Sequence, residues 1–278
     1  MAQLQTVSFW HARCIAVSTY AGERADGESN MSYGMYISAL GANSQSERLQ
    51  VLTNNLANVD TPGFKRELAI LAARHTEAIE RGAPAGTKTI NNVGGGVSLA
   101  KTMIDFSMGT TRVTGNKADI AILGEGFFQV EDNGNRLLTR AGNFHLSSAG
   151  ELATEHGYKV LTSEGEPLVI NPILAWQVES SGAISQGGEL RHLALVKPKS
   201  LGDLAKVGQN LFRPLAEVEP VSQDQRRVAG NSLELSAVKP AQEMMNLIET
   251  SRAYEANIKM IQNHDSILGG LVGRLLRA

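Results

Sequence analysis

Residues 49–65 read LQVLTNNLANVDTPGFK. Leu49, Leu52, Leu56 and Val59 recur at spacings of three and four, the a/d seam of a helix that buries one face. The helix has to stop before Pro62, because the residue preceding a proline avoids the helical region, and Gly63 supports a turn. Working toward the N-terminus, the periodic segment predicts a helix over Met35 to Asp60, with Ile37 and Leu40 extending its apolar character. Gly41, Asn43, Ser44, Gln45 and Ser46 leave part of that face small or polar. Further out, residues 1–30 hold one short apolar patch, Cys14–Val17, and no usable periodicity. The patch is too short for the apolar core of about 7–15 residues that a secretory signal needs. Residues 1–30 are therefore expected to be a disordered or spurious extension, with Met31 as a second start candidate.

A second helix is predicted at the other end of the chain. Pro240 suits a first helical position, with Gln242 and Glu243 in the first turn. Met244, Leu247, Tyr254, Ile258, Ile261 and Leu268 fall on one seam, interrupted by Ser251 and Asp265 and continued by Val272 and Leu275. Residues 120–196 read instead as short strands between turn signals. Phe127–Asp132 and Asn135–Arg140 flank Asn133-Gly134, a strong two-residue hairpin signal. The clusters 147–150, 163–165 and 180–182 are further turns. The Gly-rich polar segment 80–98 reads as a connector. The expected fold class is α+β: helices at both termini and a central all-β, hairpin-rich domain. The expected boundaries are 31–79, 80–98, 99–230 and 231–278. Each helical seam is one-sided, and a lone helix of this length is marginal in water. The seams can bury each other, bury against other copies, or pack on the chain's own sheet.

Composition narrows the function classes. The chain has 278 residues, a formal net charge of -2 and 28 glycines, with aromatics at 5%. No basic excess points to nucleic acid. No apolar run approaches the ~18 residues of a membrane helix, so no direct membrane insertion is expected. The single cysteine, Cys14, excludes an intramolecular disulfide. The six histidines show no H-x-H or H-E-x-x-H spacing, so no metal site is expected. Gly124-Glu125-Gly126 begins like a dinucleotide fingerprint, but Gln129 stands at the third glycine position and Phe127-Phe128 continue as strand. Gly94-Gly95-Gly96 lacks the Lys-Ser/Thr of a phosphate loop, and no G-x-S-x-G elbow occurs. No catalytic residue and no cofactor are indicated.

Three segments carry a family resemblance. The stretch 49–65 resembles the N-terminal motif of flagellar rod proteins, a helix running into A-N-x-x-T-P-G-[FY]-K, matched by Asn54, Asn55, Leu56, Ala57, Asn58 and Thr61–Lys65. PAQEMMNLIETSRAYEANIKMI, residues 240–261, is similar to the family's C-terminal helix at Met244, Ile248, Arg252–Glu255, Asn257 and Lys259. DFSMGTTRVTGNKADIAILGEGFFQV (105–130) and LTRAGNFHLSSAGELATEHGYKVL (138–161) resemble the central stretch shared by the FlgF, FlgG and hook proteins. The family is the flagellar basal-body rod proteins of FlgF/FlgG type. The Asp105-Phe106-Ser107-x-Gly109 run and the short β domain lean toward the proximal-rod (FlgF) type.

The resemblance implies a non-enzymatic building block that polymerises. Its terminal helices would pair as a coiled coil at one end of the subunit, inside a helical tube, with the β domain further out. The implied assembly residues are Leu49, Leu52, Asn55, Leu56, Asn58, Pro62, Gly63, Phe64, Met244, Leu247, Tyr254, Ile258, Ile261 and Leu268. The implied partners are copies of itself, neighbouring rod and hook subunits, and the flagellar type III export apparatus, which would deliver it to the periplasmic rod without a cleaved signal. A second reading is a soluble periplasmic binding or scaffold module that uses the same axial fold.

Overall fold

The computed structural model describes residues 33–75 and 94–277. The expectation for residues 1–30 lies outside the described residues, as does most of the connector expected at 80–98.

Two helices frame the described residues. Helix α1 spans Tyr33–Ala57 and helix α2 spans Pro240–Leu275. Pro240 opens α2, Glu243 lies in its first turn and Arg274 in its last, each suited to the helix dipole there. At 36 residues α2 is about 54 Å long. The two helices lie antiparallel. Gly34 faces His264 and Gly41 faces Asn257, so closely that a β-carbon added at either glycine would come within 2.8 and 3.0 Å of those side chains. Apart from Leu52, the buried residues of the two helices are small or polar: Ser38, Ala42, Ser44 and Asn55 on α1, Glu243 and Thr250 on α2, with Glu243 paired to Arg66 at 2.9 Å. The hydroxyls of Ser38 and Thr250 donate back to the carbonyls of Gly34 and Asn246 four residues earlier, which satisfies them without an outside partner.

A hairpin that the periodicity did not reveal lies along α1. Strands β1 (Arg66–Ala73) and β2 (Val97–Asp105) pair antiparallel with a bulge after Ile70. Ser44 on α1 donates to the carbonyl of Val97 at 2.6 Å, and Gly96 sits against Leu40 and Ile37. The segment expected as connector up to residue 98 therefore already belongs to a strand at Val97.

Strands β3 (Thr111–Val113) and β4 (Ile120–Ile122) lead into the β domain. They pair with the two segments by which the chain leaves it, 232–234 and 228–230. Strands β5 (Phe127–Asp132) and β6 (Asn135–Thr139) form the hairpin predicted at Asn133-Gly134. Asn133 and Gly134 both have positive φ, 47° and 85°, as a tight turn matched to the twist of its strands requires. This hairpin sits mid-way in a nine-stranded antiparallel sheet. Ile120, Phe128, Val130, Leu152 and Leu168 anchor the larger core. A smaller one gathers Phe127, Leu138 and Phe212, and Phe106 joins it from the end of β2 with its ring 5.8 Å from Phe127 and 5.6 Å from Phe212. The fold is α+β, with the hairpin β1–β2 stapled to α1 on one side and to the β domain through Phe106 on the other.

Candidate assembly interface and the joint beside it

The stretch 58–67 makes the joint between helix and β domain. At the end of α1, Asn58 folds its side chain back onto the Asn54 carbonyl at 2.8 Å, and Thr61 donates to Asn58 Oδ1 at 3.2 Å. These local bonds replace the helical ones, so α1 ends at Ala57 rather than running to Asp60. Gly63 follows with φ +66° and donates its N–H to the Glu234 carbonyl at 2.8 Å. A β-carbon there would lie 2.5 Å from the Arg140 carbonyl carbon, so both the backbone angle and the space require glycine. Phe64 is buried, and its carbonyl accepts from the Ala237 N–H. Asn55, fully buried, brackets the backbone of Glu67: its Nδ2 donates to the Glu67 carbonyl at 2.8 Å, and its Oδ1 accepts from the Glu67 N–H at 2.9 Å. That pair pins the start of β1 to the last turns of α1.

A buried charge cluster locks the joint. Lys65 Nζ donates to Glu234 Oε1 at 2.8 Å and to the Ser107 carbonyl at 2.7 Å. Arg140 Nε donates to Glu234 Oε2 at 2.7 Å, and its remaining nitrogens reach the carbonyls of Ile122, Gly124 and Gly126. The Gly109 N–H adds a third donor to Glu234. All three side chains are at most 4% exposed. Burial alone pushes the Glu234 carboxyl up, but the Arg140 charge and the bonds from Lys65 and Arg140 outweigh it and hold it below its usual range. Burial pulls Lys65 below the ordinary lysine value, more than Glu234 can offset. Arg140, Glu234 and Asn210, whose Nδ2 donates to the Pro62 carbonyl at 2.8 Å, were not singled out from the sequence. A signal existed for one of them: Glu234 is a charge between two leucines in a strand-like run, Ser232-Leu233-Glu234-Leu235.

The residues expected at an assembly surface divide into groups. Asn55, Gly63 and Phe64 are buried within the joint, with Asn58 and Pro62 half-buried beside them. Leu52 is buried and Leu49 and Leu56 are half-buried on α1. Leu247, Tyr254, Ile258 and Ile261 are half-buried on the side of α2 that also carries Asn257 toward α1. Met244 and Leu268 are exposed. Around α2 the exposed apolar set is wider than the seam predicted, adding Met245, Ile248, Met260, Ile267 and Leu271. Among the described residues no group of three or more His, Cys, Asp or Glu side chains is placed to hold a metal ion. No helix among them is long and apolar enough to cross a membrane.

Three family models match along the chain in order: "Flagella basal body rod protein" over residues 35–65, "Flagellar hook protein FlgE/F/G D1 domain" over 121–190, and "Flagellar basal body rod FlgEFG protein C-terminal" over 229–272. The flagellar basal-body rod protein FlgF of Caulobacter vibrioides is 33% identical over 253 residues, covering 88% of this chain and 98% of the relative. The chain belongs to the flagellar basal-body rod protein family. FlgG of Borreliella burgdorferi is 32% identical, covering 86% of this chain and 97% of that one, and FlgG of Bacillus subtilis is 29% identical with the same coverage. This rod-family chain is a structural subunit of the bacterial flagellum and not an enzyme, and membership implies assembly with other rod and hook subunits. The reading as a binding or scaffold module is not favoured. The motif that carries the resemblance at the N-terminus, Asn54–Lys65, is the joint itself, so in this rod protein its asparagines, glycine and lysine are accounted for by contacts within one subunit.

Proposed function

We propose that the chain polymerises into the helical drive shaft between motor and hook, through terminal helices that pair as a coiled coil. It leaves the cell through the flagellar export apparatus without a cleaved signal and assembles in the periplasmic rod, at a FlgF-like or FlgG-like position. The observation that carries this reading is the apolar exposure of α2. Met244, Ile248, Met260, Leu271 and Val272 are each about half exposed along it. Exposed apolar area of this extent, spread along and around one helix, marks an interaction surface. Leu49, Leu52, Leu56, Leu247, Tyr254, Ile258 and Ile261 then hold the helix pair together, while Met244 and Leu268 reach neighbouring copies. Asn55, Asn58, Pro62, Gly63 and Phe64 fix the angle at which the pair is presented.

Ile248→Asp tests it. The side chain is exposed in the subunit, so melting should stay within about 2 °C of wild type. A charge buried in every contact of a repeating assembly costs several kcal/mol each time. Incorporation into basal bodies and swimming should be lost. Normal motility with Ile248→Asp would overturn the reading.

A further inference from the structure

Two unlike surfaces lie at opposite poles of the helix pair. At the pole where α1 enters the joint, a groove of about 870 Å³ opens between the Asn58–Pro62 turn and the β domain. Asp60 and Glu155 stand exposed on its walls, and Glu67 beside them is already paired with Lys206. The groove's unpaired charge is therefore negative. Pro62, Val207 and Tyr158 give it an apolar side. At the other pole α2 runs on past His264, which faces Gly34 one residue after α1 begins. Its last turns expose Leu268, Leu271, Val272 and Leu275, with Arg274 and Arg277 among them. Asp265 is the one acidic side chain on this stretch.

We propose that the α2 tip of one copy, residues 268–277, docks in the Asp60/Glu155 groove of the next, head to tail. This rests on the polymerisation reading above and says where one of its contacts lies. A two-fold contact uses one patch twice. An open helical assembly needs two different, complementary patches on each subunit. Here the patches differ in sign and lie at opposite ends, so the contact repeats along the helix axis and cannot close on a dimer. Arg274 and Arg277 answer Asp60 and Glu155 with charge-assisted hydrogen bonds. The exposed leucines gain cover against Pro62, Val207 and Tyr158.

Charge reversal in the full chain tests the pairing. Asp60→Lys with Glu155→Lys, and separately Arg274→Glu with Arg277→Glu, should each cut incorporation into basal bodies at least about tenfold, since like charges placed opposite cost several kcal/mol. Melting of the purified subunit should stay within about 2 °C, because all four side chains are exposed. Combining the four changes should restore incorporation to within about threefold of wild type. If the groove reversal leaves incorporation intact, or if the combination fails to rescue two defective pairs, the tip docks elsewhere or the groove receives a different subunit, and the proposal falls. Ile248→Asp in the same assay separates this from the broader reading. Its failure to block incorporation would remove polymerisation through α2, whereas loss of rescue alone would remove only this contact.

Discussion

Replacing Glu234 by Gln leaves Lys65 and Arg140 buried beside a neutral amide. Removing the shared carboxylate should cost about 3–5 kcal/mol, read from urea denaturation at neutral pH. The same residue sets an acid limb. Its carboxyl is held below the ordinary value of 4.5, so its contribution is present above that pH and is lost as pH falls through the lower folded value. Glu234→Gln should flatten that limb, and an unchanged acid transition would show that the cluster does not govern it. Lys65, lowered as well, acts at the alkaline end, where stability should rise as pH climbs from its folded value toward 10.5. Gly63→Ala meets a left-handed backbone and a wall at once, and should cost the roughly 1–2 kcal/mol of the first plus about 1–3 kcal/mol of the second. Gly134→Ala, where nothing lies within 4 Å, should cost only the first. Equal melting shifts for the two would contradict the close approach to Arg140. At this scale the sequence showed that Gly63 turns the chain, because Pro62 precedes it. It did not show why Lys65 is there, because Arg140 and Glu234 are 75 and 169 residues further on and no local pattern links them.

Local elements were legible where their own chemistry makes them. The helix starting at Pro240 and the hairpin around Asn133-Gly134 stand where proline, dipole and turn preferences put them. Hairpin β1–β2 was not legible, for a physical reason. Its strands are half-buried or exposed along their whole length, so neither alternates, and RELAILAA carries alanines where strands favour branched or aromatic side chains. The pairing exists because α1 offers Asn55 and Ser44 to its backbone. The apolar exposure of α2 was only half legible. A spacing rule finds one seam, and α2 carries apolar groups on both its half-buried and its exposed sides. For the β domain, residues 107–237 should unfold cooperatively as an isolated fragment. Cutting at 225 removes the partners of β3 and β4 and exposes the sites of Val228 and Leu233. That loss should be at least about 3 kcal/mol, at roughly 1.5 kcal/mol or more for each side chain. Equal urea midpoints for the two fragments would mean that the exit strands do not support the domain.

In the whole molecule, composition and motif order already pointed to α+β with helices at the ends, because both helices are long and the strands between them are short. The joint was invisible as a unit, since it is assembled from the Asn58–Glu67 turn, the end of β6 and the return strand at Ser232–Glu234. Those entry and exit strands have a further consequence. The chain goes into the β domain at Thr111 and comes out at Glu234 on adjacent antiparallel strands, whose facing α-carbons are about 5 Å apart. The domain is therefore a cassette spliced into a helical frame through a single doorway. Recombination could exchange it for another domain with neighbouring ends without altering the helix pair. Such a graft would have to bring its own counterparts of Arg140 and Glu234, because two of the cluster's three charged side chains leave with the cassette.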